Sequence, residues 1–555
     1  MYVNVMEQWL GLPSVIEYQG LNLNNLSLNS AYVIANTSLE SVFVYAVNDL
    51  CYECPFNLVT KLAKNEQTSW VVDTSVPVTW RLMKNELGLF SRNRKRGILC
   101  EMRPTFNEFG VYRLDVGRCD TKPLIPTYNS YLPLLLFLSI LLVCGSVYSI
   151  IKLALKCKAQ TNAAGLQINF NTEVSEKMRS VDFYRGIVLL LLIFITSGAG
   201  GYPIFTIKYG GLSSADCLFL VYAWSFGIKI PLSVDQGLIN GKSKCSILGD
   251  MFVRSALLIL IGVTIESTLS QFPSKTGTLW RPLEMIGASY LVVGAIYLLS
   301  AHKLEIKSEK LFFKMISNLM SLLWCWILSG FLLVMVIISV SVLTSHNCII
   351  KTTLTSTEYT YAAAEPSFYC NNNYTEWVNL LFTGQAKKTI YINGYNGFTG
   401  GVLGLLSTTL STMIGLKAGV VYLHFDKHTD RTSLWAIWGS LFAIGATVFA
   451  GMSYVVKCNL WPISSILFLM SSSHFFLIFI YVFTEYFNRR SFVTTLGQTS
   501  LPILSGHLLF SKSLPFTWPT EINNHTLLLL QHFWISVLWI SVAVFLRKAK
   551  ISFPF

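Results

Sequence analysis

The sequence predicts a polytopic α-helical membrane protein that carries a small N-terminal lumenal β domain. Of its 555 residues, 52% are hydrophobic and only 13% are charged, and the mean hydropathy is +0.51. A soluble domain has about 25% charged residues, so this composition excludes a soluble globular protein. Apolar windows of about 20 residues recur from residue 131 onward. The segment before them alternates apolar and polar positions, as half-buried strands do.

The apolar windows are sufficient for about eleven crossings of a bilayer. We expect these crossings at 131–151, 183–204, 215–233, 251–268, 283–300, 319–343, 401–423, 434–456, 461–484, 492–511 and 527–546. The chain therefore divides into a lumenal β-rich domain at 1–125 and a transmembrane bundle at 126–555. A polar, cysteine-bounded lumenal insertion interrupts the bundle at 345–399.

Basic side chains orient the bundle, because the cytosolic loops of membrane proteins hold an excess of Lys and Arg. Such residues are concentrated in alternate loops, as in the segments 152–158, 303–314 and 547–550. We predict these loops to be cytosolic, which makes the N-terminus lumenal and the C-terminus cytosolic. Topology then explains most of the net charge of +13, so membrane lipid is an expected partner and nucleic acid is not.

The predicted lumenal segments hold four glycosylation sequons, at Asn25, Asn36, Asn373 and Asn524. They also hold the cysteines that we expect to form disulfides, which are Cys51, Cys54, Cys100, Cys119, Cys348 and Cys370. The sequence does not predict how these cysteines pair. A zinc site at "CYEC" is an alternative, but no second C-x-x-C and no nearby histidine complete it, so no metal is predicted.

The N-terminal stretch "MYVNVMEQWLGLPSV" has neither the basic nor the apolar region of a secretory signal. A translocated domain of this length requires such a signal, so we expect it to lie upstream of Met1. In the alternative, the span at 131–151 acts as its own signal anchor.

Two opposite charges stand at the cytosolic edge of a span in "SVDFYRGIVLLLLIFI". Their spacing of three residues puts Asp182 and Arg185 on one helix face, where they can pair. In this interpretation Ser180 caps the helix and Arg185 extends to the lipid headgroups. In the other, Arg185 binds the phosphates of a soluble cytosolic donor. Ionisable residues in membranes are usually functional, but spacing alone leaves both interpretations open.

Further ionisable residues lie within or beside the spans. "SSAD" has the pattern of a capping box, with Ser213 as the N-cap and Asp216 at the third helical position. Asp216 also follows the glycine-rich turn "SGAGGYP", where a ligand can approach the backbone, so it is either a cap or a site residue. His507 in "SGHLLF" and His474 in "SSSHFF" are each either a strut between helices or a functional group. Lys229 is expected to extend toward the headgroups.

Five motifs occur in order: "RSVDFYRGI", "GLSSADCLF", "GGVLGLLSTTLSTMIGLKAG", "KCNLWPISS" and "GQTSLPILSGHLLF". Together they resemble the heparan-α-glucosaminide N-acetyltransferase family of lysosomal membrane enzymes. The resemblance continues into the lumenal domain at "NEFGVYRLDV" and "YNSYLPLLL". It implies an eleven-span bundle in the lysosomal membrane, often a homodimer. It also implies transfer of acetyl from cytosolic acetyl-CoA to a terminal glucosamine of a heparan sulfate glycan.

The resemblance suggests roles for the charged residues. It makes Asp182, Arg185 and Glu284 the candidate ligands of acetyl-CoA. Acetylation also requires a base that takes a proton from the glucosamine ammonium. Asp216 and His507 are the candidates for that base.

The sequence departs from the family pattern around this site. The family's active histidine belongs in the turn after the second span, but Thr206 or Ile207 stands at that position. Thr196 replaces an expected asparagine, and Met285 beside Glu284 replaces an expected arginine. A threonine hydroxyl is no base near neutral pH and forms no acetyl-imidazole intermediate.

The predicted function is therefore that of a transmembrane acetyltransferase-like protein. One alternative is a catalytically silent relative that binds acyl-CoA or glycan as a scaffold. The other is a transporter of a small anion or sugar.

Overall fold

The computed structural model of the protein describes most of both predicted regions. The described residues are 17–49, 56–88, 90, 92, 96–125, 129–162, 179–206, 214–269, 281–300, 323–343, 402–452, 463–486, 493–510, 513, 515–518 and 524–549. The predicted lumenal insertion at 345–399 lies outside them, as does the predicted cytosolic loop at 303–314.

Short antiparallel strands make up the N-terminal region, as the alternating pattern predicts. They are β1 (Glu17–Tyr18), β2 (Leu21–Asn22), β3 (Ser30–Asn36), β4 (Ser41–Asn48), β5 (Asn57–Ala63), β6 (Thr68–Asp73), β7 (Val78–Met83), β8 (Ile98–Met102), β9 (Val111–Asp115) and β10 (Asp120–Pro123). Two four-stranded sheets result, in the orders β10-β9-β3-β6 and β5-β4-β7-β8. Only the pairing of β3 with β9 is parallel among the strand pairs of these described sheets. Buried side chains from both sheets, such as Val33, Val44, Trp70 and Trp80, share one core.

The rest of the described chain is helical. Its helices are α1 (Leu132–Asn162), α2 (Arg179–Thr196), α3 (Pro203–Thr206), α4 (Ser214–Ile239), α5 (Lys244–Leu269), α6 (Pro282–Ser300), α7 (Leu323–Leu343), α8 (Val402–His424), α9 (His428–Met452), α10 (Ile463–Tyr481), α11 (Val493–Gln498), α12 (Ser500–Phe510) and α13 (His525–Lys548). Each predicted span coincides with a helix, or with the pair α11 and α12. Within the described ranges, seven helices are long and apolar enough to cross a membrane, and shorter apolar helices accompany them. The fold class is confirmed, and eleven is an approximate number of crossings.

Helices α4 and α8 pack backbone to backbone at the centre of the bundle. A Cβ atom added at Gly415 would collide with the carbonyl group of Trp224, and one added at Gly227 would collide with that of Thr412. Small residues permit such close helix contacts in membranes, where the hydrophobic effect does not drive helices together. Gly497 of α11 lies equally close to the backbone of Asp182 in α2. The N-terminal end of α2 is therefore held against α11.

One predicted disulfide is present. Cys100 and Cys119 are bonded, with their Cα atoms 6.1 Å apart, and they join β8 to the turn before β10. The other cysteines expected in disulfides lie outside the described residues. The bond agrees with a lumenal location for this domain, because disulfides persist in oxidising compartments.

The predicted glycosylation sites differ in accessibility. Asn25 and Asn36 are exposed. Asn524 is only 4% exposed, and its side chain caps α13 by accepting the N–H of Thr526 at 2.8 Å. Oligosaccharide attachment needs an accessible amide, so the burial of Asn524 argues against its predicted glycosylation. Asn373 lies outside the described part of the chain.

Candidate active site at the two ends of helix α2

Asp182 lies in the first turn of α2 and is 4% exposed. The ammonium group of Lys229 in α4 forms an ion pair with its carboxylate. The side-chain amide of Gln498 donates to the other carboxylate oxygen at 3.2 Å. The predicted pair of Asp182 with Arg185 is therefore wrong, and so is the expectation that Lys229 extends to the headgroups. Partners on other helices satisfy Asp182, because a buried carboxylate requires a compensating charge.

The N-terminus of α2 is capped from another helix. The backbone N–H of Ser180 donates to Oε1 of Glu485 at 3.1 Å, and its hydroxyl donates to the same oxygen at 2.5 Å. Glu485 belongs to a π-helical turn, Val482–Tyr486, that continues α10. A carboxylate at this end is favourable because the helix dipole is positive there. Ser180 is thus a helical residue held by Glu485, and it is not the predicted N-cap.

Arg185 lies one turn further into the bundle and is 3% exposed. Its guanidinium carbon is 3.9 Å from the centre of the Phe226 ring and 6.0 Å from that of Tyr222. The rings stabilise its charge, yet its Nε atom has no hydrogen-bond partner among the described residues. Arg185 does not extend to the surface. A buried arginine with an unused donor is suited to bind an anion.

Other buried polar atoms near Arg185 also lack partners. These atoms are the hydroxyl groups of Tyr184 and Tyr222 and the indole N–H of Trp224. Ser473 lies near the Tyr184 hydroxyl, and Ser500 and Arg185 lie near that of Tyr222, but none of them makes a hydrogen bond of good geometry to it. The rings of Tyr184 and Trp224 are 5.4 Å apart, so two of these groups are neighbours. Buried polar groups are nearly always hydrogen-bonded, and exceptions point to a function or to a bound molecule. This part of the bundle therefore has the chemistry of a site for a polar ligand.

The other end of α2 runs into an unusual turn, Ser197–Tyr202. Four successive residues adopt positive φ angles: 118° at Gly198, 46° at Ala199, 74° at Gly200 and 77° at Gly201. Glycine tolerates this conformation, but at Ala199 it is strained. Such strain persists only where the surroundings hold the backbone, and strained backbone is often found at functional sites.

Two histidines of α13 hold this turn through a single residue. The N–H of Gly200 donates to Nδ1 of His532 at 2.8 Å, and the carbonyl oxygen of Gly200 lies 2.7 Å from Nδ1 of His525. Both imidazoles are more than nine-tenths buried. The sequence reasoning missed these residues, although their spacing of seven in "HTLLLLQH" places them on one face of a helix.

The N-terminal β domain contributes to the same cluster. Oε2 of Glu108 lies 2.8 Å from Nε2 of His525, and Oε1 of Glu108 accepts the N–H of Asn29 at 2.7 Å. The side chain of Asn29 also donates to the carbonyl oxygen of Gly201 at 3.0 Å. Both nitrogens of His525 face oxygen acceptors, an arrangement suited to an imidazolium paired with a carboxylate. The β domain is thus bonded directly to the turn.

His507 of α12 approaches the turn from a third helix. Its Nε2 atom lies 2.9 Å from the hydroxyl oxygen of Thr196, the last residue of α2. Its Nδ1 atom is buried and has no partner among the described residues. The edge of the ring faces Trp539 at 6.2 Å between centres, and Gly506 leaves room for that indole.

The remaining predicted site residues lie elsewhere. Asp216 is fully buried in the first turn of α4, next to Ala215, which packs against Ile195 and Ala199 beside the turn. Its predicted cap, Ser213, lies outside the described residues. Thr206, which with Ile207 is predicted to stand at the family's histidine position, ends the short helix α3.

Glu284 does not share a site with Asp182 and Arg185. It lies in the first turn of α6 and accepts the N–H of Arg281 at 3.3 Å, as in a capping box. Gly294, ten residues later in the same helix, lies against Met251 and close to Ile230, the neighbour of Lys229. Glu284 is therefore about 15 Å along α6 from the level of Asp182. The three residues therefore do not form one contiguous cluster, and their joint binding of acetyl-CoA stays a prediction.

The fold and the two polar clusters define a polytopic membrane protein with an N-terminal β-sheet region that is hydrogen-bonded to the helical part. No family model matches the chain. It is 23% identical over 597 residues to the heparan-alpha-glucosaminide N-acetyltransferase of Homo sapiens, covering 95% of this chain and 88% of that protein. The protein of the same name from Mus musculus is 22% identical over 605 residues, with 95% and 89% covered. The chain is homologous to these proteins and is a transmembrane acetyltransferase-like protein.

Proposed function

We propose that the protein transfers an acetyl group from cytosolic acetyl-CoA to the amino group of a terminal glucosamine on a lumenal glycan. The observation that carries this proposal is the course of α2, which joins a buried arginine at one end to a histidine-lined turn at the other. The names of the relatives support the acceptor class. The lysosomal membrane, a lumenal N-terminus and a homodimer follow from the resemblance and the charge pattern and belong to the same proposal.

Arg185 binds a phosphate group of the donor in this proposal. Its Nε donor is unused and its charge lies between aromatic rings, so a phosphate would gain a charge-assisted hydrogen bond without displacing an existing one. Asp182 is already neutralised by Lys229, so it does not compete for the guanidinium. The unpartnered hydroxyls of Tyr184 and Tyr222 support a polar ligand at this level. Glu284, about 15 Å away along α6, remains a candidate ligand for a more distant part of the same donor.

The acetyl group must reach the other end of α2. Arg185 and Thr196 are eleven residues apart, which is about 16 Å along an α-helix. The long thiol-bearing arm of coenzyme A is suited to span that gap. Separate sites at the two ends of α2 fit a donor that enters from one side of the membrane and an acceptor that enters from the other.

His507 then acts as the base. Its Nδ1 atom takes a proton from the glucosamine ammonium, and the free amine attacks the thioester carbonyl carbon. The C–N bond forms first and the C–S bond then breaks. The nitrogen releases its second proton, which the departing coenzyme A thiolate takes up, and His507 later returns the first proton to solvent. A base of this kind contributes on the order of 10² to 10⁴ in rate. Asp216, buried beside the same turn, is the second candidate for this role.

The test uses purified full-length protein in liposomes, with labelled acetyl-CoA and a glucosamine-terminated glycan. Transfer of label to the glycan is expected, together with a loss of 10²-fold or more in His507→Ala and unchanged acetyl-CoA binding. Loss in Asp216→Asn with an active His507→Ala would move the base to Asp216. Binding without any transfer would instead indicate a catalytically silent protein and would overturn the proposal.

A further inference from the structure

His532 has a defined arrangement of protons. The backbone N–H of Gly200 donates to its Nδ1 atom at 2.8 Å, so Nδ1 serves as the acceptor. A neutral imidazole has one donor and one acceptor nitrogen, and its proton must then lie on Nε2. His532 therefore presents an N–H group and not a free lone pair.

That N–H group lies over the strained turn. A Cβ atom added at Gly198 would be 2.8 Å from Cε1 and 3.3 Å from Nε2 of His532, so the ring occupies the space that this glycine leaves. No described residue is hydrogen-bonded to Nε2, and this atom, unlike Nδ1 of His507, is not fully buried. A donor with no partner among the described residues thus remains at the surface of the turn.

His507 has the opposite arrangement. When the Thr196 hydroxyl donates to the carbonyl oxygen of Leu192, 2.7 Å away, its oxygen accepts from Nε2 of His507 at 2.9 Å. His507 therefore carries its proton on Nε2, which leaves Nδ1 with an unpartnered lone pair. Thr196 and Gly198 are two residues apart, so one turn is flanked by an imidazole acceptor and an imidazole donor.

We propose that His532 is a second catalytic residue, one that donates a hydrogen bond from Nε2 to the oxygen of the acetyl group. This inference rests on the proposed function. When the amine attacks, the carbonyl π electrons move to that oxygen, which becomes negatively charged. When the C–S bond breaks, the oxygen returns its electrons to form the amide carbonyl, and His532 keeps its proton throughout. A fixed donor placed where this charge develops stabilises the transition state.

In this proposal two histidines on different helices together perform the functions that the family resemblance assigns to one histidine in the turn. His507 removes the proton from the nucleophile, and His532 stabilises the oxygen of the electrophile. A neutral imidazole is suited to the second role, because it is oriented by its backbone partner and is not required to exchange a proton.

The kinetic test compares His532→Phe, which fills the space but has no donor, with the unmodified protein. We expect kcat to fall by 10²- to 10³-fold, as for removal of one oxyanion donor, with unchanged acetyl-CoA affinity. The limb of the pH–rate profile that belongs to the base should remain in His532→Phe and disappear in His507→Ala. His424→Phe, which removes a histidine bonded only within its own helix among the described contacts, is the matched control and should retain kcat.

Two further measurements distinguish a catalytic role of His532, as a hydrogen-bond donor, from a structural role in holding the turn. Infrared difference spectra with carbonyl-labelled acetyl-CoA should show a lowered carbonyl frequency in the unmodified protein and not in His532→Phe. His532→Gln, whose amide can donate, should recover part of kcat. Equal losses of turnover and thermal stability in Phe and Gln variants would reduce His532 to a structural role.

The outcomes also distinguish the two proposals. Full turnover and an unchanged carbonyl band in His532→Phe overturn the role of His532 and leave the proposed function intact. An unmodified protein that neither binds acetyl-CoA nor transfers acetyl overturns both.

Discussion

Glu108 of the N-terminal β domain and His525 of helix α13 form a buried ion pair, with 2.8 Å between Oε2 and Nε2 and 4% exposure of each side chain. The two residues are 417 positions apart in the chain. Through the other nitrogen of His525 the pair reaches the carbonyl oxygen of Gly200. The β domain is therefore part of the structure that holds the turn, and it is not an independent appendage.

This pair predicts a large loss of stability on removal of one partner. Glu108→Gln leaves a buried imidazolium without its counterion, which costs about 3 to 5 kcal/mol in comparable cases. We expect a clearly lowered midpoint of thermal unfolding for the purified protein. Asp250→Asn is the matched control, because Asp250 pairs with Lys242 and the two side chains are 45% and 50% exposed. Such exposed pairs contribute little to stability. Equal midpoints for the two variants would contradict the role of the Glu108 pair.

Arg185→Ala should weaken binding of acetyl-CoA by more than tenfold, or about 1.4 kcal/mol. The reason is the loss of a buried guanidinium that has an unused donor for a phosphate. Calorimetric titration of the purified protein measures the effect without turnover. Arg118→Ala provides a control on the lumenal domain, where the arginine side chain is 74% exposed. Unchanged affinity in Arg185→Ala would leave this residue with a structural role only.

The exposed sequons, and not the buried one, should carry glycans. We expect Asn25→Gln and Asn36→Gln each to remove one glycosidase-sensitive shift in electrophoretic mobility. Asn524→Gln should leave the mobility unchanged, because Asn524 is 4% exposed and caps α13. A glycan detected on Asn524 by mass spectrometry would show that α13 begins differently from the structure.

Local patterns predicted the helices well, because about 20 apolar residues have few other stable arrangements in a bilayer. They did not predict the partners of the charged residues correctly. A spacing of three suggested Asp182 with Arg185, yet the carboxylate pairs with Lys229, 47 positions away, and Gln498, 316 positions away. Tertiary partners of this kind leave no periodic signal in the sequence. The same holds for the turn, whose histidines come from helices more than 300 positions later.

Close packing at Gly497 predicts a selective effect of a single methyl group. Gly497→Ala places a Cβ atom against the carbonyl group of Asp182, a backbone contact that cannot yield without moving α2 or α11. We expect lower thermal stability and weaker binding of acetyl-CoA, because the movement would also displace Arg185. Gly249→Ala has nothing within 4 Å of the added atom and should behave like the unmodified protein. Unchanged behaviour of both variants would contradict the packing of α11 on α2.

Thr196 sets the tautomer of His507, and this predicts a difference between two small substitutions. Thr196→Val keeps the shape of the side chain but removes the hydroxyl oxygen that accepts from Nε2 at 2.9 Å. The ring then has no partner that holds its proton on Nε2, so Nδ1 is no longer reserved for the substrate. We expect a tenfold or greater fall in kcat for acetyl transfer with little change in acetyl-CoA binding. Thr196→Ser retains the hydroxyl and should retain most of the activity. Equal activity of the Val and Ser variants would show that the hydroxyl does not orient the base. The activity of Asp216→Asn would then decide whether His507 or Asp216 is the base.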